Sequence, residues 1–399
     1  MTQPLDAVTG TRDRYASARR PAARILARCL VATLGFTLAV GLGAQAPSGS
    51  LTVEVAVVDR DGAPVVGLTA DKFDVEVGGR RRKVLGMAYA GGAAATGAAD
   101  RRPSYVVAID ALTFGQGATK NVAAVVRALV AALPADSRIG LATLPQGPAV
   151  EVTTDRKAIE TALDMLSGQR QPGAQSGTFG LRAADAIEYL GSPDKTAAIQ
   201  NFCGTSGEED GCPSLLDQEV NVLVNGLETQ ARASLGMLAS VTSTVEKLPG
   251  RKVLVLVSGG LAASERPGGR PDVGNLPAAI GDSAARGDIA VYALMLDKRL
   301  LDSEPVTGRA RQAMSPQREA EVLGRWLDQF STATGGALVR VQALTNDPGP
   351  IRIARETAAH YVLSVETLPA DKAGALQRLR VRVDQRGASV RARQVVAAK

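Results

Sequence analysis

The chain has 399 residues, 45% of them hydrophobic, which is enough to bury the cores of about two or three domains. Aromatic residues make up only 3%, which argues against the stacking platforms of single-strand nucleic-acid binders. The formal net charge of +6 is concentrated in residues 1–46, which hold six arginines and two acidic residues; the remainder carries a net charge of only +2. We therefore expect no nucleic-acid partner.

Residues 1–46 have the pattern of an export signal. A cluster of arginines precedes the apolar segment "CLVATLGFTLAVGLGA", and "AQA" at positions 44–46 offers a small-x-small cleavage site. An uncleaved amino-terminal anchor is the alternative, but an apolar run of about 16 residues is short for a spanning helix. The sequence thus predicts an exported protein, periplasmic or extracellular, with no stable membrane span after cleavage.

Cys29 lies in this signal, and the two other cysteines, Cys203 and Cys212, flank a Gly-rich acidic loop in "NFCGTSGEEDGCP". In an oxidising compartment such an even pair predicts a local disulfide. A two-cysteine metal site is the alternative, but no other Cys and no nearby His is available to complete it.

The first predicted elements after the signal are β strands. "LTVEVAVVDR" and "FDVEVGGRRRKV" alternate apolar and polar residues and are separated by turns, which predicts a small antiparallel β unit at residues 51–90. "GGAAATGAAD" predicts a flexible linker over residues 91–102. The pattern changes at residue 104, where "YVVAI" is continuously apolar, as is typical of a strand buried on both faces of a parallel sheet.

Helical and strand patterns alternate from there. The helix "ATKNVAAVVRALVAAL", the strand "RIGLATL", the edge strand "AVEVTTD" and a helix capped by Asp155 are followed by the strands "KVLVLVS", "IAVYALML" and "GALVRV". This order predicts an α/β fold with a doubly wound, mostly parallel sheet over residues 103–345, an insertion at 168–213 and a long loop at 258–285. Three further strands in residues 358–398 are expected to join the amino-terminal β unit, without a pairing that the sequence specifies.

Three polar side chains are expected to meet at the carboxyl ends of the strands, where open α/β sheets bind ligands. Asp110 ends "SYVVAID", Ser258 ends "KVLVLVS", and Thr178 lies in the loop "GAQSGTFG" before a helix.

The order and spacing of these segments resemble the von Willebrand factor A domain, and more narrowly the bacterial secreted VWFA-related proteins, in which a β segment precedes the domain and a β tail follows it. The matching segments are "VVDRDGAPVVGLTADKFDVEVGGRRRKV", "YVVAID", "DSRIGLATL", "SGTFGLRAADAI", "GRKVLVLVSGG" and "ATGGALVRV". The resemblance implies a Rossmann-like fold, protein binding or cell adhesion at the carboxyl-end face, and a metal-ion-dependent adhesion site that combines Asp-x-Ser-x-Ser, a Thr and a second Asp.

This sequence departs from the metal-binding pattern. Asp110 and Thr178 match the first acid and the threonine. However, the two serine positions are Leu112 and Phe114, and the position expected for the second acid is Gly259. A hard divalent cation needs about six oxygen ligands, so we expect a degenerate site and no cofactor. Weak Mg²⁺ binding by Asp110 and Thr178 is the alternative.

The expected function is non-enzymatic binding of a protein ligand at a face formed by Asp110, Thr113, Thr178 and Ser258. A purely structural role for Asp110 competes with this interpretation, since a strand-end Asp can cap the following helix or accept N–H bonds from "FGQGA".

A serine hydrolase using Ser258 is the alternative from another class. "VSGG" lacks the flanking glycine pattern of a hydrolase elbow, and His360, the only histidine, begins a strand of the tail. A Ser258 farther than about 8 Å from any base would exclude this mechanism, because a general base must lie within hydrogen-bond reach.

Overall fold

The structure is a computed structural model that describes residues 50–91, 103–170, 177–204, 211–264, 268–301 and 316–397. The expected signal and most of the expected linker lie outside these ranges. Within them the chain is mixed α/β, with one six-stranded, mostly parallel sheet and two four-stranded antiparallel sheets. The predicted α/β class is thereby confirmed.

Helices and strands alternate through the middle of the described chain, and its last four elements are strands. The strands are β1 (Ser50–Val58), β2 (Phe73–Val77), β3 (Arg80–Arg82), β4 (Val84–Gly91), β5 (Ser104–Asp110), β6 (Arg138–Leu144), β7 (Ala149–Thr153), β8 (Lys252–Ser258), β9 (Ile289–Leu296), β10 (Leu338–Val341), β11 (Ala359–Glu366), β12 (Leu376–Val383), β13 (Ser389–Arg391) and β14 (Val395–Ala397). The helices are α1 (Thr119–Ala132), α2 (Arg156–Asp164), α3 (Ala183–Gly191), α4 (Thr196–Cys203), α5 (Cys212–Glu246), α6 (Leu276–Arg286), α7 (Lys298–Leu301), α8 (Pro316–Ala333) and α9 (Pro348–Thr357).

The central sheet has the strand order β10-β9-β8-β5-β6-β7, and only the edge strand β7 runs antiparallel to its neighbour. Every residue of β5 and of β8 is buried, as their continuous apolar runs predict. β6 and β7, which follow β5 in the chain, lie on one side of β5 in the sheet, and β8 lies on its other side. The strand order therefore reverses between β5 and β8, which is the position where doubly wound sheets bind ligands.

Helices cover both faces of this sheet. Apolar residues of α1, α2 and α9 pack on one face, and those of α5, α6 and α8 pack on the other. Asp155 caps α2 by accepting hydrogen bonds from the N–H groups of Lys157 and Ala158, as predicted. None of the helices in the described ranges combines the length and apolar character needed to cross a bilayer.

The amino-terminal and carboxyl-terminal strands form one β sandwich. Its sheets have the orders β13-β1-β11-β4 and β14-β12-β2-β3, so each sheet contains strands from both ends of the described chain. β1 pairs with β11 and β2 pairs with β12, both antiparallel. Tyr361 lies in the core between the sheets, where its hydroxyl donates to the carbonyl of Val65. The structure thus supplies the pairing that the sequence left open.

Four helices, α4, α6, α7 and α9, occupy places where the sequence patterns did not indicate a helix. Residues 276–286, at the end of the loop expected at 258–285, form α6, whose buried residues are Ile280, Ser283, Ala284 and Ala285. A proline in the first turn and small buried residues obscure its periodicity. α9 was also not predicted, although Asp347 caps it by accepting from the N–H of Gly349 at 2.8 Å.

Candidate functional site

Asp110 and Ser258 end the two adjacent strands at the point where the strand order reverses. Ser258 Oγ lies 3.2 Å from Asp110 Oδ2. The other carboxylate oxygen, Oδ1, accepts a hydrogen bond of 2.9 Å from the hydroxyl of Ser234 in α5. Only 1% of Asp110 is exposed. The carboxylate is therefore held between two serine hydroxyls beneath the surface of the sheet.

Burial determines the ionisation of Asp110. It raises the pKa of this carboxyl from 3.8 to about 6, against the opposing effect of hydrogen bonds from Ser234, Ser258 and the backbone of Leu112. Desolvation disfavours the charged form more than these donors favour it. A carboxyl of this kind takes up a proton under mildly acidic conditions.

Ser234 is the member of this group that the sequence interpretation missed. It lies in the middle of the 35-residue helix α5, among the buried residues Ala231, Leu235 and Leu238. A serine on an otherwise apolar face of a helix is the signal that was available, since a buried hydroxyl needs a partner. The sequence could not show that this partner is Asp110, which lies 124 positions away.

Thr113 connects the two strand ends. Its hydroxyl donates to the carbonyl of Asp110 at 2.8 Å and accepts from the N–H of Gly259 at 2.9 Å. Ser258 Oγ also accepts from the N–H of Gly260 at 3.1 Å. The structure therefore brings Asp110, Thr113 and Ser258 into one hydrogen-bonded network.

Thr178 takes no part in that network. It is exposed and lies in the turn before α3, and the N–H of the adjacent Phe179 donates to Glu219 of α5 at 3.2 Å. Three of the four residues expected at the binding face thus come together, while the fourth lies at the surface.

The residues present do not fit a divalent cation next to Asp110. Both carboxylate oxygens accept serine hydroxyls, and Phe114, at one of the expected serine positions, is buried in the core. At position 259, a Cβ atom would lie 2.4 Å from a methyl carbon of Leu301, so this leucine would have to shift to admit an acidic side chain. Within the described ranges, no three His, Cys, Asp or Glu side chains converge to hold a metal.

A cleft of about 110 Å³ lies at the carboxyl ends of β5, β8 and β9. Its walls combine leucines with charged side chains from the ends of the sheet strands and from α8. Glu319 is buried there, with Lys298 Nζ at 3.3 Å and an Arg182 guanidinium nitrogen at 3.6 Å. Residues that line the cleft include Thr113, Arg170, Leu227, Gly259, Leu261, Lys298, Leu301, Glu319 and Leu323.

The cysteine pair lies at the amino end of α5. Cys203, at the end of α4, and Cys212, at the start of α5, form a disulfide with an S–S distance of 2.00 Å. The predicted pairing is confirmed. The bond ties α4 to the helix that also supplies Ser234.

The arrangement gives Ser258 an acidic neighbour but no nearby histidine. His360 and Lys252 line one pocket at the amino end of β8, whereas Ser258 ends this seven-residue strand. Because a strand rises about 3.3 Å per residue, its two ends are about 20 Å apart. Asp110 lies within the 8 Å limit that we set for a base, so this criterion alone does not exclude a hydrolase. Only 1% of Asp110 and 2% of Ser258 are exposed, so both side chains lie beneath the surface.

Comparisons with known proteins find distant structural similarity. No family model matches the chain, and no curated protein matches it. Among solved structures, it is similar to a von Willebrand factor type A protein from Catenulispora acidiphila, with a TM-score of 0.32 and 9% identity over 88% of this chain and 75% of that one. It is also similar to the human COPII-coat protein Sec24c, with a TM-score of 0.27 and 10% identity over 75% of this chain and 44% of that one.

Proposed function

We propose that the protein is an exported, non-enzymatic interaction module of the von Willebrand factor A type, which binds a protein partner at the carboxyl-end cleft without a metal. The observation that carries this proposal is the cleft above the Asp110 network. Three neighbouring strands end there, and its walls combine leucines with Lys298 and Glu319. Its volume of about 110 Å³ is below the range of about 300–1,000 Å³ typical of small-molecule sites, and it suits a single side chain of a partner.

Metal independence is supported by the contacts of Asp110. Both carboxylate oxygens already accept hydrogen bonds from the hydroxyls of Ser234 and Ser258, and Leu112 and Phe114 offer no side-chain oxygen to a cation. We expect Mg²⁺ and Mn²⁺ to give no saturable heat in calorimetry and no thermal shift below about millimolar concentration. Micromolar affinity that Asp110→Ala abolishes would contradict this part of the proposal and favour the metal-dependent adhesion module.

Export is supported by the arginine-preceded apolar segment within residues 1–46 and by the disulfide, since disulfides form and persist in oxidising compartments.

The binding experiment compares two phenylalanine substitutions of half-buried helical alanines. Ala320→Phe, on α8, fills the cleft, whereas Ala124→Phe, on α1, lies on the other side of the sheet. Proteins of the producing cell's envelope are cross-linked to the immobilised wild-type chain and to each variant, and are quantified by mass spectrometry. We expect a partner that the wild type and Ala124→Phe retain and that Ala320→Phe loses. A partner that all three proteins retain equally would place its binding surface elsewhere.

The hydrolase alternative rests on one observation, the 3.2 Å contact between Ser258 and a carboxyl whose pKa is raised to about 6. Labelling with a fluorophosphonate probe tests it. We expect no labelling at neutral pH, because the hydroxyl is buried. Labelling that Ser258→Ala abolishes and Ala320→Phe blocks would favour the enzyme.

A further inference from the structure

Six polar side chains of the described residues line the carboxyl-end cleft, and each already contacts another group of the protein. They are Thr113, Arg170, Gln230, Asp297, Lys298 and Glu319. The hydroxyl of Thr113 makes the two hydrogen bonds that connect the ends of β5 and β8. The side-chain amide of Gln230 donates to the carbonyl of Leu112 at 3.0 Å. The guanidinium of Arg170 donates to the carbonyl of Leu301 at 3.5 Å.

The charged side chains of this lining balance one another. Two are cations, Arg170 and Lys298, and two are carboxylates, Asp297 and Glu319. Lys298 Nζ lies 3.3 Å from a carboxylate oxygen of Glu319, and Asp297 accepts from the Nε atom of Arg299 at 3.0 Å. The four charges sum to zero, so an acidic side chain of a partner that pairs with Lys298 has to compete with Glu319. Burying a carboxylate without a free cation costs free energy.

The rest of the lining is apolar. It is formed by five leucines, one methionine, four alanines and two glycines, among them Leu227, Leu261, Met295, Leu296, Leu301, Ala320 and Leu323. Leu227 of α5 and Leu323 of α8 are only half-buried, so part of their apolar surface remains in contact with water. Removing apolar surface from water is favourable, and an apolar group that enters the cleft would cover this surface.

Two glycines at the end of β8 bring leucines to the place where a metal site would need oxygen ligands. A Cβ atom at Gly259 would lie 2.4 Å from a methyl carbon of Leu301. Gly260 has a φ of 118°, which favours glycine, and a Cβ atom there would lie 2.7 Å from the Cβ atom of Leu323. The close approach of both leucines therefore makes the end of the strand apolar.

We propose, on the basis of the function proposed for this cleft, that it receives an aliphatic side chain of the partner, that of a leucine or a methionine, in preference to an acidic one. The polar side chains of the lining are engaged with the protein, and its apolar surface is what remains for a ligand. An apolar cavity of about 150 Å³ holds a benzene molecule. The cleft, at about 110 Å³, is sized for a smaller aliphatic group.

The test uses the full chain and four probes, the N-acetyl amides of leucine, methionine, alanine and glutamate, which share one backbone and differ only in the side chain. Binding is followed by NMR of ¹³C-labelled methionine methyl groups. The chain has only six methionines, and the methyl carbon of Met295 would lie 3.2 Å from a Cβ atom at Gly260, inside the cleft. Met295→Leu assigns this signal by removing it.

We expect the leucine and methionine probes to shift the Met295 signal saturably, with a Kd of about 10 mM or lower. The alanine and glutamate probes should bind at least about tenfold more weakly, because the first buries less apolar surface and the second buries a charge. Ala320→Phe should abolish the shift by filling the cleft, and Ala124→Phe should leave it unchanged. No saturation with any probe, or binding of the glutamate probe as tight as that of the leucine probe, would overturn the proposal.

Glu319→Gln tests the charge balance directly. It keeps the shape of the side chain and removes the carboxylate that faces Lys298 and Arg182. The glutamate probe should then bind about tenfold more tightly than it does to the wild type, because a cation becomes available to it. The leucine probe should keep its affinity. Unchanged affinity for the glutamate probe, in a variant that circular dichroism shows to be folded, would refute the role of the charge balance.

The probe titration and the cross-linking experiment fail separately. A leucine probe that binds in the cleft, together with a partner that survives Ala320→Phe, would refute the proposed partner site and support the apolar preference of the cleft. A partner that Ala320→Phe loses, together with a leucine probe that does not bind, would support the proposed function and overturn this inference.

Discussion

Asp110→Asn separates the charge of the buried carboxyl from its shape. In the wild type, the carboxylate accepts hydrogen bonds from Ser234 and Ser258. An asparagine of the same shape can accept from Ser234 and donate to Ser258, whose hydroxyl then turns to the carbonyl of Gly260, at 3.3 Å. The substitution therefore keeps the packing and removes the cost of burying a charge.

The size of this cost follows from the pKa of Asp110. Burial raises the pKa from 3.8 to about 6, so the folded state binds the proton more tightly than the unfolded state does. The stability associated with this proton is fully present below about pH 4 and is lost as the pH rises through about 6. The full difference corresponds to about 3 kcal/mol, of which about 2 kcal/mol falls between about pH 4.5 and pH 7.5.

We expect the free energy of unfolding of Asp110→Asn, relative to that of the wild type, to increase by about 2 kcal/mol from about pH 4.5 to pH 7.5. Urea denaturation followed by circular dichroism at several pH values, at constant ionic strength, measures it. Asp155→Asn, at the exposed cap of α2, is the matched control for the same substitution outside the core. A difference between Asp110→Asn and the wild type that does not change with pH, or that decreases as the pH rises, would refute the reasoning.

Three further substitutions test the contacts around the site and the sandwich. Ser234→Ala removes a donor to a buried carboxylate and should destabilise the fold by about 1–3 kcal/mol at neutral pH, and by less in acid, as measured by urea denaturation. Replacing Cys203 and Cys212 by serine should lower the free energy of unfolding by about 2–3 kcal/mol. A reducing agent should then have no further effect on the unfolding transition of the variant. Arg82→Met breaks a buried bidentate pair with Asp371 and should cost about 3–5 kcal/mol, seen as a lowered thermal midpoint. A change below about 0.5 kcal/mol in any of the three would contradict the corresponding contact.

Local patterns in the sequence determine much of the architecture. The continuous apolar runs of β5 and β8 specify strands buried on both faces, because a parallel sheet covered by helices has no polar face. Asp155 specifies the start of α2, because its carboxylate satisfies free N–H groups there. The cysteine pair specifies its own bond, because only a short loop separates the two residues.

The tertiary structure decides what surrounds the strand ends. The carboxylate of Asp110 accepts a hydrogen bond from Ser234 because α5 passes over the sheet and places this hydroxyl beside it. The two residues are 124 positions apart, so no local pattern in the sequence indicates the contact. A pocket at the amino ends of β8 and β9 arises in the same way, because β1 and β11 pair with each other although they lie far apart in the chain, so that His360 and Arg251 line the same pocket. The sequence by itself thus determined which segments become strands and helices. Which polar groups meet was decided by pairing and packing over long distances, because burial and hydrogen-bond satisfaction depend on neighbours that lie far away in the chain.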